Sequence, residues 1–185
     1  MNNITEILKH RKICKSVWFM RQAGRYLPEF RRIRSQYQNF IDLCLNAELS
    51  SEITLQPVKR FNLDSAIIFS DILIVPHALN QKVEFVKNRG PVLEEFNSKK
   101  FLNNNNTSFT KKLYPVYKAI QKTRKRLDKN KSLIGFIGAP WTLLVYMLGA
   151  KESNKKVDYK KIKTKKFEVN LILNKLNDYL CTHIE

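Results

Sequence analysis

Metal-binding cysteine patterns are missing from this chain of 185 residues. Its three cysteines, Cys14, Cys44 and Cys181, are widely spaced and form no CxxC or other ligand pattern. A structural zinc site is excluded on that spacing, and the thiols read as reduced groups of a cytosolic protein. No apolar signal-peptide core occurs in MNNITEILKHRK, no lipid-anchor motif is present, and no internal repeat is visible. Uncharged runs long enough to consider as a membrane span are limited to one, SLIGFIGAPWTLLVYMLGA at 132–150. Pro140 in its middle biases Ala139 away from helix, and Gly135 and Gly138 break its first half, so a strand, a GAP turn and a helix fit better than a span.

Acidic residues are scarce as well: 16 Asp and Glu stand against 34 Lys and Arg, a net charge of +18. Such an excess suits nucleic acid or another anionic polymer, which would bind in a salt-sensitive manner. Its distribution argues against that partner. Residues 1–96 hold 14 basic and 10 acidic side chains, whereas residues 97–185 hold 20 and 6. The later excess lies in KAIQKTRKRLDKNK and KESNKKVDYKKIKTKK, mostly lysines off the apolar positions and without the aromatic interleaving of a stacking platform. A solvated lysine face accounts for it, with no nucleic acid and no membrane as partner.

What is present is a chain long enough for a sizeable core, with an ordinary 43% hydrophobic content. KSVWFM (15–20) reads as a buried strand, and PEFRRIRSQY begins a charged helix with Pro28 in its first turn. A second helix runs from Asn46 to Phe61, with Pro57 expected to kink or restart it. LDSAIIFS (63–70) is an apolar, β-branched strand ending at Asp71. VEFV (83–86) suits a short hairpin strand, and NNNN at 103–106 a solvent loop. The spacing then predicts a helix over 110–127 with Leu113, Tyr117, Ile120 and Leu127 on one face. A strand at 132–137, a helix at 140–148 and a last helix from about 158 follow.

Alternating buried strands and helices argue for parallel α/β architecture, in which ligands meet residues just past the strand C-termini. Three signals fall there: Arg21 and Arg25 after the first strand, Asp71 after the second, and the GAPWT turn leading to Tyr146 after the third. Arg21 and Arg25, four apart around Gly24, make an anion site suited to carboxylates. Blander readings stand beside these: Asp71 as an N-cap of the next turn, and Tyr146 as a core aromatic. His77 reads as structural, and Trp18 and Trp141 as packing.

VWFMRQAGRYLPEFR, LQPVKRFNLDSAIIFSDILIVPHAL and GFIGAPWTLLVYM resemble, in order and spacing, signature blocks of the uroporphyrinogen decarboxylase family. The resemblance runs from about residue 10 to the end. It implies a (β/α)8 TIM-type barrel, here its N-terminal half only, as a single incomplete domain over residues 1–185. It also implies a cytoplasmic, usually homodimeric carboxy-lyase needing no cofactor and no metal. The implied reaction removes carbon dioxide from the four acetate arms of uroporphyrinogen, giving coproporphyrinogen. On this resemblance Arg21, Gln22, Ala23, Gly24, Arg25, Arg34, Asp71 and Tyr146 bind substrate. Asp71 accepts from the central pyrrole N–H groups and, with Arg21 as a proton donor to the ring, acts in catalysis. Departures are Asn62 where proline is common, and LNQK after Ala78 where glycine is usual. A whole barrel takes about 250 residues, so the expectation is a truncated or split form, catalytically impaired unless a second polypeptide completes it. A non-enzymatic remnant is the main alternative. A corrinoid-type methyltransferase on the same barrel is disfavoured by RQAGRYLPEF and by the absence of the region expected to carry its zinc ligands.

Overall fold

The computed structural model describes residues 4–11, 16, 19–20, 26–86, 89–151, 156–163 and 166–185. In chain order, α1 (Ile4–His10) precedes α2 (Pro28–Ser35), α3 (Phe40–Cys44), α4 (Ala47–Phe61) and β1 (Ser65–Ile67). Then come α5 (Ile74–Ala78), β2 (Val83–Val86), β3 (Gly90–Leu93), α6 (Ser98–Leu102) and α7 (Asn106–Arg126). β4 (Ser132–Ile134), α8 (Pro140–Met147), α9 (Tyr159–Lys163) and α10 (Lys166–Ile184) follow. The architecture is α/β, as the alternation of elements predicts. The strand expected at 15–20 lies mainly outside the described residues; its Phe19 and Met20 are exposed, in a loop and a turn. Trp18 also lies outside them.

Two compact units divide the chain, Met1–Asp71 with Pro115–Phe136, and Ile72–Tyr114 with Ile137–Glu185. In the first, β1 and β4 pair in parallel with Ser65 opposite Ser132 and Ile67 opposite Ile134. Helix α4 covers β1, and Leu55, Val58, Leu63, Ala66 and Leu127 form a buried cluster against which Leu133 packs. Asn46 caps α4 by accepting from the Glu48 and Leu49 amides at 3.2 and 3.1 Å. The helix runs unbroken through Pro57, so the expected restart does not occur. Its missing N–H forfeits one bond to the Ile53 carbonyl at a cost of about 3 kcal/mol, offset by caps at both ends and by burial of Ile53, Leu55 and Val58.

Asn62 ends α4 in the left-handed region at φ 48°. Proline, with φ locked near −65°, has no access to that conformation. The Asn62 Oδ1 and the Leu63 carbonyl both accept from Lys131 Nζ, at 2.9 and 2.7 Å. Lys131 thereby joins the end of α4 to the residue before β4, and the Ser132 amide donates to the Asp64 carbonyl at 3.1 Å.

In the second unit, β2 and β3 form the expected hairpin with Val83 opposite Leu93. Gln81, buried beside it, donates through Nε2 to the Glu94 and Met147 carbonyls at 2.7 and 2.9 Å. The asparagine run is exposed at Asn103, Asn105 and Asn106, as expected of a solvent loop, with one exception. Asn104 is buried and its Nδ2 donates to the Leu79 and Lys100 carbonyls at 3.0 and 2.9 Å, while Asn106 begins α7. A carboxamide is what the orphan carbonyls at the end of α6 require. Tyr179 of α10 meets Phe109 at 4.9 Å between ring centroids, within a face made by Val169, Ile172, Leu176 and Leu180. Trp141 is 41% exposed and is not the packing residue expected.

Candidate functional site

Parallel strands present their carboxyl ends on one side, so the residues after β1 and β4 in the first unit define one edge. Both strands are shorter than their apolar runs predict, and after β1 side chains replace the ladder. Past β1, the Ile68 amide still donates to the Ile134 carbonyl at 3.0 Å. The next residue turns to α4 instead. The Phe69 amide donates to Thr54 Oγ1 at 2.8 Å, and the Phe69 carbonyl accepts from Ser50 Oγ at 2.6 Å. Thr54 Oγ1 in turn donates to the Ser50 carbonyl at 2.7 Å. Ser50, Ser51 and Thr54 are all buried. The Ser50 and Thr54 hydroxyls hold the backbone two residues before Asp71, and the prediction overlooked them. The available signal was small hydroxyls at i and i+4 on the apolar face of a helix.

The Phe69 ring is held between Phe30 and Phe40, edge-on to each, with centroids 5.9 and 5.6 Å away. Arg34 lies over the outer side of this cluster, its guanidinium carbon 5.8 Å from the Phe40 centroid, and its Nη1 donates to the Tyr37 carbonyl. Burial pushes the Cys44 thiol well above its ordinary value; the Asp71 charge adds to that rise and the Arg34 guanidinium opposes it. Arg34 and Asp71 therefore share an electrostatic neighbourhood around Cys44. Asp71 itself is half-buried. Leu73, and not Asp71, occupies the N-cap position of α5, where no side chain caps the helix. At the carboxyl end of β4, Phe136 is 41% exposed, an aromatic on the same sheet edge that the prediction did not single out.

Arg21, Gln22, Ala23, Gly24 and Arg25 lie outside the described residues. Tyr146 belongs to the second unit, on α8. The turn before that helix needs glycine: a Cβ on Gly138 would stand 2.7 Å from Leu143 Cδ2 and 3.1 Å from Ile72 Cβ. After the helix, the Gly149 amide donates to the Tyr146 carbonyl and the Ala150 amide to the Val145 carbonyl, at 3.0 and 2.9 Å. Gly149 is left-handed at φ 59°, and these bonds make a Schellman turn that reverses the chain. The reversal returns Lys151 to the helix. Its ammonium lies 4.4 Å from the centroid of the Tyr146 ring and donates to the Tyr146 hydroxyl. Tyr146 is half-buried, so its bland reading as a core aromatic does not apply.

A family model for uroporphyrinogen decarboxylase (URO-D) matches residues 4–185. The chain is 44% identical over 174 residues to a uroporphyrinogen decarboxylase of Rickettsia canadensis, covering 91% of this chain and 51% of that relative. It is 43% identical over 188 residues to one from Rickettsia felis, covering 97% and 54%. The chain thus spans about half the length of the curated relatives it matches. A methyltransferase from Methanosarcina mazei is similar in fold, with a TM-score of 0.67 at 14% identity, over 95% of this chain and 51% of that one. Among the described residues, no helix is long and apolar enough to cross a membrane.

Proposed function

Because the chain belongs to the uroporphyrinogen decarboxylase family, we propose that it supplies one side of a carboxy-lyase site, on the N-terminal part of a (β/α)8 barrel. The reaction turns the four acetate arms of uroporphyrinogen into methyls, yielding coproporphyrinogen, without a cofactor. Protonation of a pyrrole carbon creates a cationic ring. That ring accepts the electron pair of the breaking carbon–carbon bond as carbon dioxide leaves, and the exocyclic methylene carbon then takes up a proton to become the methyl. The pyrrole carbon releases the proton it first received, so that one net proton is consumed per acetate and the aromatic ring is restored. Asp71 accepts from the pyrrole N–H groups and stabilises the ring cation, a preorganised electrostatic role. Arg21, Arg25, Arg34 and Tyr146 take the substrate carboxylates, with the Gln22, Ala23 and Gly24 backbone between the first two. Arg21 also delivers the ring proton. Phe136 offers an apolar face to the macrocycle.

The observation that supports this reading best is the tie from Ser50 and Thr54 to Phe69, which fixes the backbone before Asp71 at the carboxyl end of a parallel strand. A carboxylate meant to meet a developing cation gains from being held before the cation forms. Cytoplasmic location and homodimerisation belong to the same proposal. The test is anaerobic consumption of uroporphyrinogen, with loss of turnover in Asp71→Asn as the expected result. Equal turnover by wild type and variant would sink the role of Asp71. A second reading is porphyrinogen binding without turnover, which predicts saturable uroporphyrin binding and no carbon dioxide release.

A further inference from the structure

The geometry points to Lys151 as a positioning residue for substrate carboxylates, acting through Tyr146. This rests on the decarboxylase reading above, which makes Tyr146 a substrate contact and assigns Lys151 nothing. A phenolic hydroxyl both donates and accepts, so a tyrosine facing solvent has no fixed polarity toward a ligand. An ammonium has donors and no acceptor. With Lys151 Nζ donating to the Tyr146 oxygen, the phenolic hydrogen is left to point outward as a donor. A carboxylate accepts from that hydrogen and is attracted to the ammonium behind it. The ammonium stands 4.4 Å from the ring centroid, at the hydroxyl end of the ring.

The backbone is built to hold the pair. The Schellman turn at Gly149 reverses the chain immediately after α8, and Lys151 is then fixed by an antiparallel bridge to Val157. The Asp158 amide adds a bond to the Ala150 carbonyl at 2.7 Å. Lys151 therefore returns to Tyr146 on an anchored segment. Its side chain is exposed, as a residue that meets an anionic ligand must be. The class of ligand is a polycarboxylate, and the partner group is one propionate or acetate arm.

The experiment uses the full chain with carbon-13 at the tyrosine Cζ, the Tyr146 signal being assigned by its loss in Tyr146→Phe. In the free protein, Lys151→Met should move that signal and Lys151→Arg should hold it near the wild-type position. Uroporphyrin is then titrated by fluorescence. Lys151→Met should weaken binding about tenfold, the scale of one charge-assisted hydrogen bond, with Lys151→Arg restoring most of it. In a Tyr146→Phe background the Lys151→Met change should add little, because the two act as a unit. An unmoved resonance, unaltered binding in Lys151→Met, or fully additive effects would overturn the inference while the decarboxylase reading stands. A moved resonance in a wild-type chain that binds no uroporphyrin would overturn both.

Discussion

Thr54→Val isolates the device that holds the Asp71 segment. Valine matches threonine in shape, so the perturbation removes a hydroxyl and leaves the packing of α4 on β1 in place. The Phe69 amide, now 2.8 Å from Thr54 Oγ1 in a buried site, loses its acceptor. An unsatisfied buried donor costs about 1–3 kcal/mol. The added methyl carbon returns about 0.8 kcal/mol of burial, leaving a net loss of up to about 2 kcal/mol. For a chain of this size about 2 kcal/mol corresponds to a fall of about 4–8 °C in melting temperature. Thr54→Ser, which keeps the hydroxyl, should restore the Phe69 bond and lose only the methyl's contribution. Ser50→Ala should cost less than Thr54→Val, since the carbonyl it abandons has a second lone pair whereas an amide has one hydrogen. The assay is denaturant unfolding followed by circular dichroism, together with hydrogen exchange at the Phe69 amide. An unchanged midpoint with the Phe69 amide still protected in Thr54→Val would refute the claim that this hydroxyl terminates the strand.

Other substitutions probe the remaining supports. Gly138→Ala places a carbon 2.7 Å from Leu143 Cδ2 and should destabilise by about 1–3 kcal/mol; unfolding midpoints decide it. Burial holds His183 below its ordinary value, so the folded state binds fewer protons than the unfolded one just below pH 6.5. Stability should therefore be full above that pH and decline as pH falls through it toward the lower folded value. His183→Gln should flatten the profile of unfolding midpoint between about pH 5 and 7. In a Cys14→Ser chain, a disulfide reagent should modify exposed Cys181 quickly, while Cys44, buried and with its thiol pushed up, reacts only on unfolding.

How far the sequence foretells this arrangement depends on which force sets each feature. Apolar spacing follows burial, and burial places α2, α4, α7, α8 and α10 close to where the periodicity predicts them. Strand ends are set by hydrogen bonds, which apolar spacing does not register. The apolar run continues through Ala66, Ile67, Ile68 and Phe69, yet strand ends at Ile67, because at Phe69 the bonds go to Ser50 and Thr54. The same blindness made Asn104 look like part of a polar loop when its carboxamide is a buried clamp. Motif order was the stronger guide to the site. It puts Asp71, Arg34 and Tyr146 forward from neighbouring residues, but the side chains that tie down the segment before Asp71, Ser50 and Thr54, sit on the preceding helix, far away in the chain.

Lys151 shows the physical limit most clearly. In the sequence it is one of many lysines in a basic second half, indistinguishable from its solvated neighbours. What sets it apart is the left-handed Gly149, whose reversal makes a residue five positions beyond Tyr146 its partner when a continuing helix would have turned it away. Gly149→Ala should therefore do two things at once. It should destabilise the end of α8 by about 1 kcal/mol through left-handed strain, and it should move the Tyr146 signal as Lys151→Met does. If the strain appears without the resonance change, Lys151 reaches Tyr146 by side-chain length alone and the turn has no part in placing it.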